Sequence, residues 1–380
     1  MQNVKEKVAI RDYLLCLLPI LAYVSMQYRT DITLLNASLI ATACILIFIW
    51  VSSYHYFTTS DLMILLICVS SLCVTLIRYK GLGVSLNYIN LLLCLMIFNK
   101  VPFAKKTISI VRVMLIVGIL IFFITSSLTM IGDWAKFYDK NGSLVNNNTV
   151  SLILVALYVY LSSILVGVNK PWAVIVLLSL LVLFMVLVNV FGCRSAMFFF
   201  VVYIVLGVFH RPILKNDIAT KKTSVVLLLS SIAITLIYLF LSTKIGNFNV
   251  MGKSFFSGRE TVWSRSYSQI LDHPIFGSGT AFSIDYAGGS MESSHNMLLG
   301  LWRNLGLIPF VSIFVFYFIK GRTKIEKSTL IAILAFVIIA CFESFLMDAR
   351  LYLLFLLAFP GTRGDHYDNS TKGNDKRGVK

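Results

Sequence analysis

The stretch "WAVIVLLSLLVLFMVLVNVF", Trp172 to Phe191, runs through twenty residues without one charged side chain. A helix of that length rises about 30 Å, the thickness of a bilayer's hydrocarbon core. Only Ser179 and Asn189 interrupt the apolar run, and it lacks the period-two alternation of a membrane β-strand. It reads as a transmembrane helix.

The same pattern recurs along the chain. Of 380 residues, 58% are hydrophobic and 13% charged, and the mean hydropathy is +0.85. Soluble domains carry about twice that charge. Further apolar runs lie near 12–28, 32–51, 62–78, 84–99, 108–130, 149–168, 195–209, 224–242, 297–319, 328–347 and 350–360. The run at 195–209 is marginal and the last is short, so eleven or twelve spans are expected. The expected fold class is all-α, a polytopic integral membrane protein with about 12 helices. Residues 1–360 form a single transmembrane domain and 361–380 a basic tail. Lys5, Lys7 and Arg11 precede the first run and no small-residue cleavage site follows it, so that span is expected to be retained.

Net charge is +16, which could suggest nucleic acid until its distribution is read. With twelve spans and a cytoplasmic N-terminus, inner segments such as "KVPFAKK", "HRPILKNDIATKK" and "KGRTKIEK" hold twenty Lys and Arg, and outer ones eleven. Arg112 and Arg303 fall within spans. The positive-inside bias therefore places both termini in the cytoplasm. The charge becomes a topology signal plus attraction to anionic membrane lipids, and nucleic acid is not expected as a partner. Seven cysteines, six of them inside apolar runs and none in CxxC or CxxH spacing, read as small buried hydrophobes. No metal site is expected from them.

Two expected outer segments are long. Residues 131–148 contain "GDWAKFYDKNGSLVNNN", and residues 243–296 exceed fifty, far beyond a usual helix connection. The second holds Phe255, Phe256, Trp263, Ile270, Ile275 and Phe276, which argue for order. Within it "SGRETVWSRSYSQIL" predicts a helix capped near Ser257 or Gly258, and "DHPIFGSG" then breaks it.

That loop also gathers Arg259, Arg265, His273 and His295, two of the chain's five histidines. Arg194 stands at the turn between the seventh and eighth spans. Guanidinium groups bind phosphate in a fork and keep their charge. Histidine can take a proton from a hydroxyl near neutral pH. Together they suit an anionic ligand at the outer surface, such as a lipid-linked pyrophosphate whose departure the arginines would assist.

Simpler readings stand beside each. Arg194 could snorkel to headgroups. Arg265 reads as a surface or packing residue and His273 as a turn residue. His295 or Asn296 could cap the next span. Arg303, Glu343, Asp348 and Arg350 could form ion pairs, and Trp263 and Trp302 could anchor the interface. Arg259 is harder to dismiss, because a cation at a helix start opposes the helix dipole. "GSGTAFS" lacks the lysine of a phosphate-binding loop.

"SGRETVWSRSYSQILDHPIFGSG" followed by "SSHNMLLGLWRNLGLIPF" resembles the O-antigen ligase and polymerase superfamily. Those bacterial inner-membrane proteins have about a dozen spans and one long periplasmic loop late in the chain. The resemblance rests on Arg259, Trp263, Pro274, Gly277, Gly279, His295, Asn296 and Gly306, with Arg194 in "GCRSAM" upstream. It covers about residues 190–310. It implies a metal-independent, inverting glycosyltransferase without a cofactor, acting on an undecaprenyl-pyrophosphate-linked glycan. Arg194 and Arg259 would bind the donor pyrophosphate and His295 would act on the acceptor hydroxyl. Arg265, Asn296 and Arg303 would complete the substrate contacts. A chain-length regulator and a flippase of the same pathway are the implied protein partners.

The superfamily holds polymerases, which extend a lipid-linked chain, and ligases, which transfer it to the lipid A core. The compact "SGR…W…HPIFGSG" form and the richness in Ile, Asn, Lys and Phe favour the polymerase. A lipid-linked glycan flippase is the rival of another class, and Arg112 and Glu343 are the in-span charges it would use.

Overall fold

The computed structural model describes residues 10–28, 31–79, 82–131, 134–165, 170–213, 249–250, 253–254, 259–278, 284–286, 289–291, 296–314 and 361–362, with positions 233, 237 and 335. The described chain is mostly helical, with short two- and three-stranded sheets. The spans expected at 224–242, 328–347 and 350–360, and most of the tail, lie outside the described residues.

The first apolar run is broken. Helix α1 (Ile10–Leu15) gives way at Cys16 and Leu17 to α2 (Leu18–Gln27). Pro19 has no N–H to offer the Leu15 carbonyl, and Cys16 and Leu17 instead bond three residues back, to Tyr13 and Leu14. Helix α3 (Ile32–Ser52) starts cleanly because Asp31 accepts from the amides of Thr33 and Leu34, both at 3.0 Å. Helix α4 (Thr59–Tyr79) begins with a reciprocal cap: the Thr58 amide donates to Asp61 Oδ2 at 2.8 Å and the Asp61 amide to Thr58 Oγ1 at 3.4 Å. Helix α5 (Leu82–Lys100) is buried on every side from Leu91 to Phe98 and packs chiefly on α3.

Strand β1 (Pro102–Phe103) leads into α6 (Lys105–Thr125), which lies along α2. Strands β2 (Ser127–Ile131), β3 (Trp134–Tyr138) and β4 (Leu144–Val145) make an antiparallel sheet. The segment expected as a plain loop at 131–148 therefore contains paired strands. Asp139 forms its tight turn by accepting from the Asn141 and Ser143 amides. Helices α7 (Asn147–Leu165), α8 (Pro171–Val190) and α9 (Arg194–Ile213) follow, packed on one another.

Among the described residues, five helical segments are long and apolar enough to cross a membrane: Ile10–Gln27, Ile32–Ser52, Lys106–Thr125, Asn147–Leu165 and Pro171–Val190. On α8 only Ala173, Leu181, Phe184 and Val188 are buried, while large apolar side chains such as Ile175 and Val182 are exposed. A helix apolar on both its packed and its open side suits lipid as its outer solvent. Polar side chains stitch the interior together. Ser25 Oγ and Ser38 Oγ lie 2.9 Å apart between α2 and α3, and Asn90 Nδ2 of α5 donates to the Leu39 carbonyl at 2.9 Å.

Contacts group the connections into two ends. At one end, Lys100 pairs with buried Asp61 at 3.3 Å, Arg11 reaches the Tyr56 hydroxyl, and the Ala104 amide donates to Asp12 at 2.9 Å. There β1 also pairs in parallel with β9 (Gly361–Thr362). At the other end, Asn147 Nδ2 donates to the carbonyls of Ala135 and Phe191, at 3.1 and 3.0 Å. Lys140 Nζ sits there 3.5 Å from the centre of the Tyr28 ring.

Candidate functional site

The segment expected to break after Leu271 does so. Helix α10 (Arg259–Asp272) turns at His273 and Pro274 and runs to Ser278. Val262, Trp263, Ser266 and Ile270 recur at helical spacing and are buried, and this face lies against α11 (Met297–Leu305). Short strands β5 (Asn249–Val250) with β6 (Lys253–Ser254), and β7 (Ile284–Tyr286) with β8 (Gly289–Met291), form hairpins elsewhere in the same segment.

The expected span at 297–319 is not continuous. Helix α11 stops at Gly306, and α12 (Leu307–Phe314) restarts at once. The turn after α10 fills the break. The Leu307 amide donates to the Pro274 carbonyl at 2.9 Å and the Ser278 amide to the Arg303 carbonyl at 2.7 Å. Ser278 Oγ donates to that same carbonyl at 3.0 Å, and Trp302 Nε1 to the Pro274 carbonyl at 3.1 Å. Two glycines make this approach possible. Gly277 (φ +70°) and Gly306 (φ +82°) face each other so closely that a Cβ on Gly277 would stand 2.5 Å from the Gly306 nitrogen and the Asn304 oxygen. A Cβ on Gly306 would meet the Ile275 carbonyl. Pro274, Gly277 and Gly306, separated by up to thirty-two residues of chain, thus meet in one knot of backbone.

Arg303 is buried (1% exposed) beside that knot, and its Nε donates to Asn304 Oδ1 at 2.8 Å. Asn304 Nδ2 donates in turn to the Tyr88 hydroxyl of α5 at 2.9 Å. A guanidinium inside an apolar assembly requires such polar company. The sequence reading did not single out Asn304 or Tyr88. The signal was present: "LNYINLLL" places Asn87, Tyr88 and Asn90 in an otherwise apolar run.

The remaining expected residues fall as follows. Arg259 is the first residue of α10 and half-buried. Arg265 is exposed, on the side of α10 turned away from α11, so the described packing does not bring it to the Arg303 region. Asn296 is fully buried and its Oδ1 accepts from the Leu299 amide at 3.1 Å, so this oxygen serves as the cap of α11. Arg194 opens α9 after Gly192 (φ +65°), half-buried, and the principal packings of α9 are with α7 and α8. His295 and Gly279 lie outside the described residues, as do Glu343, Asp348 and Arg350. Trp263 is wholly buried, which makes it a packing residue.

Chemically, the arrangement offers an arginine at a helix start, where backbone N–H groups also point outward, held against a broken apolar helix that carries a second arginine. The two arginines are at opposite ends of α10: Arg259 opens the helix, and buried Arg303 lies beside the turn that follows it. Among the described residues no three His, Cys, Asp or Glu side chains gather as a metal cluster. In comparisons with known proteins, no family model, no curated protein and no solved structure matches the chain.

Proposed function

We propose that the chain is a membrane glycosyltransferase that polymerises undecaprenyl-pyrophosphate-linked oligosaccharide repeat units at the periplasmic face of a bacterial inner membrane. In this reading the chain crosses twelve times, both termini are cytoplasmic, and the end carrying α10 faces the periplasm. The supporting observation is the locking of the Arg259 helix onto the broken helix that holds Arg303. The lock holds α10, which starts at half-buried Arg259, beside apolar helices, and a lipid-linked pyrophosphate needs a cation for its headgroup and an apolar surface for its polyprenyl tail.

The reaction is a single displacement. The acceptor hydroxyl oxygen attacks the anomeric carbon, and the bond from that carbon to the pyrophosphate oxygen breaks. Undecaprenyl pyrophosphate leaves with the electron pair, and the hydroxyl proton passes to His295, which directly precedes Asn296 in the chain. Arg259 and Arg194 stabilise the charge that grows on the leaving pyrophosphate, and configuration inverts. Ligation to a lipid A core uses the same chemistry with another acceptor.

The test is incubation of the purified, reconstituted protein with the lipid-linked repeat unit alone, reading product length on a gel. A ladder of longer lipid-linked chains is expected, and Arg259→Ala or His295→Ala abolishes it while membrane insertion persists. Near-normal extension in both variants overturns the site. An unsubstituted protein that makes no ladder but modifies added lipid A core is a ligase. One that only moves the lipid-linked unit across the vesicle membrane is a flippase.

A further inference from the structure

One side of α10 is occupied by α11. Roughly a quarter-turn around the helix, Tyr267 and Leu271 stand four residues apart and exposed, at 47% and 61%. The exposed apolar side chains continue past the helix end into Ile275 and Phe276. Ser264, Arg265, Ser268 and Asp272 take up the remaining, polar side. The helix therefore has three faces: one packed, one apolar and open, and one polar. Its start is marked by Arg259 and its end by the apolar turn, so polarity also changes along its length.

The depth of that turn is fixed by its partners. Pro274 and Ser278 are bonded to Leu307 and Arg303, and Asn304 is bonded to Tyr88. Tyr88 lies six residues inside α5 from Leu82, about 9 Å at 1.5 Å per residue. The turn thus sits below the end of α5, alongside apolar helices. Directly beyond the break, Leu307 and Val311 of α12 are exposed four residues apart, forming a second apolar stripe next to the first. Trp302, half-buried, bonds the Pro274 carbonyl and stacks on Phe310 at 5.6 Å, an indole placed between an apolar body and a polar edge.

We propose that the C-terminal half of α10 and the Ile275–Phe276 turn are embedded in the membrane interface, with Tyr267, Leu271, Ile275 and Phe276 against lipid acyl chains. The stripe meets α12 where the Leu307 amide bonds the Pro274 carbonyl, and lipid covers an apolar surface that runs along both elements. The segment is an interfacial element whose apolar turn lies deeper than its Arg259 end, and not a loop surrounded by water. The proposal rests on packing and exposure, and its test reads no glycosyl transfer, so it stands or falls separately from the proposed activity.

The experiment places photoreactive benzoylphenylalanine at Leu271 or Phe276 of the full-length protein in phosphatidylethanolamine–phosphatidylglycerol vesicles. Irradiation is followed by mass spectrometry of the labelled peptides. Acyl-chain adducts are expected at both positions, at yields like those from Val182 on the open side of α8 and several-fold above those from Ser264 or Ser268. Tyr267 replaces Leu271 if that variant does not fold. Equal yields at Leu271 and Ser268 overturn the proposal, as do adducts to protein peptides in place of lipid, which would show that another polypeptide surface covers the stripe.

Discussion

Replacing Gly306 with alanine strikes the contact that ties α10 to the broken helix. Gly306 has φ +82° and ψ 177°, a conformation that side-chain-bearing residues reach at a cost of about 1–3 kcal/mol. Its new Cβ would stand 2.5 Å from the Gly277 nitrogen and against the Ile275 carbonyl. Both obstacles are backbone, so the turn must move away. That opens the Leu307–Pro274 and Ser278–Arg303 hydrogen bonds, at about 0.5–1.5 kcal/mol each. Strain and lost bonds together come to about 2–6 kcal/mol. With about 1.4 kcal/mol per tenfold, amide hydrogens along α10 exchange roughly 30- to 20,000-fold faster. Hydrogen–deuterium exchange in lipid nanodiscs reads this directly, with peptides from α3 as the internal reference. Gly142→Ala is the control: its φ is +75°, but nothing lies within 4 Å of its added Cβ. Unchanged α10 exchange in Gly306→Ala, or equal acceleration by Gly142→Ala, refutes the lock.

Three further outcomes are expected. Asn296→Ala removes the α11 cap at a cost of about 1 kcal/mol and speeds exchange in the first turn of α11, whereas Asn296→Asp keeps the cap; an equal loss in both would assign Asn296 to something other than capping. Asp61→Asn leaves Lys100 facing a neutral partner at 3.3 Å, and thermal unfolding in detergent should show a loss near the lower end of about 3–5 kcal/mol, since Lys100 stays partly wet. Asn147→Ala strips the donor from the Ala135 and Phe191 carbonyls, about 1–3 kcal/mol. Trypsin cleavage after Lys136 and Lys140 should rise, and unchanged cleavage would count against the tie between these two connections.

Apolar runs were legible because their length and lack of charge are properties of consecutive residues. Trp172–Phe191 corresponds to α8 within a residue at each end. Breaks were harder to see. Pro19 and Gly306 each end a helix inside an apolar run, and one proline or glycine in such a run is compatible with an unbroken span until its partners are known. Gly306 acquires its meaning only from Gly277, which is far away in sequence. The helix beginning at Arg259 followed from the recurrence of Trp263, Tyr267, Ile270 and Leu271, but its buried face followed only in part: Trp263 and Ile270 are buried, whereas Tyr267 and Leu271 are exposed. The Arg303–Asn304–Tyr88 chain did not, because it joins residues 216 positions apart. The sheet at 127–145 was hidden by its short strands and by the turn chemistry of Asp139, which reads equally well as a loop.

The pairing of β1 with β9 carries an arithmetical consequence. Pro102 and Phe103 lie beside Gly361 and Thr362, so the chain departs from one side of the bundle and comes back to that same side. A path that returns to its starting side of a membrane has crossed an even number of times. Any crossing added or removed between residues 103 and 361 must therefore be matched by another. In the proposed twelve-span reading four spans precede β1 and eight lie on the return path, an even number.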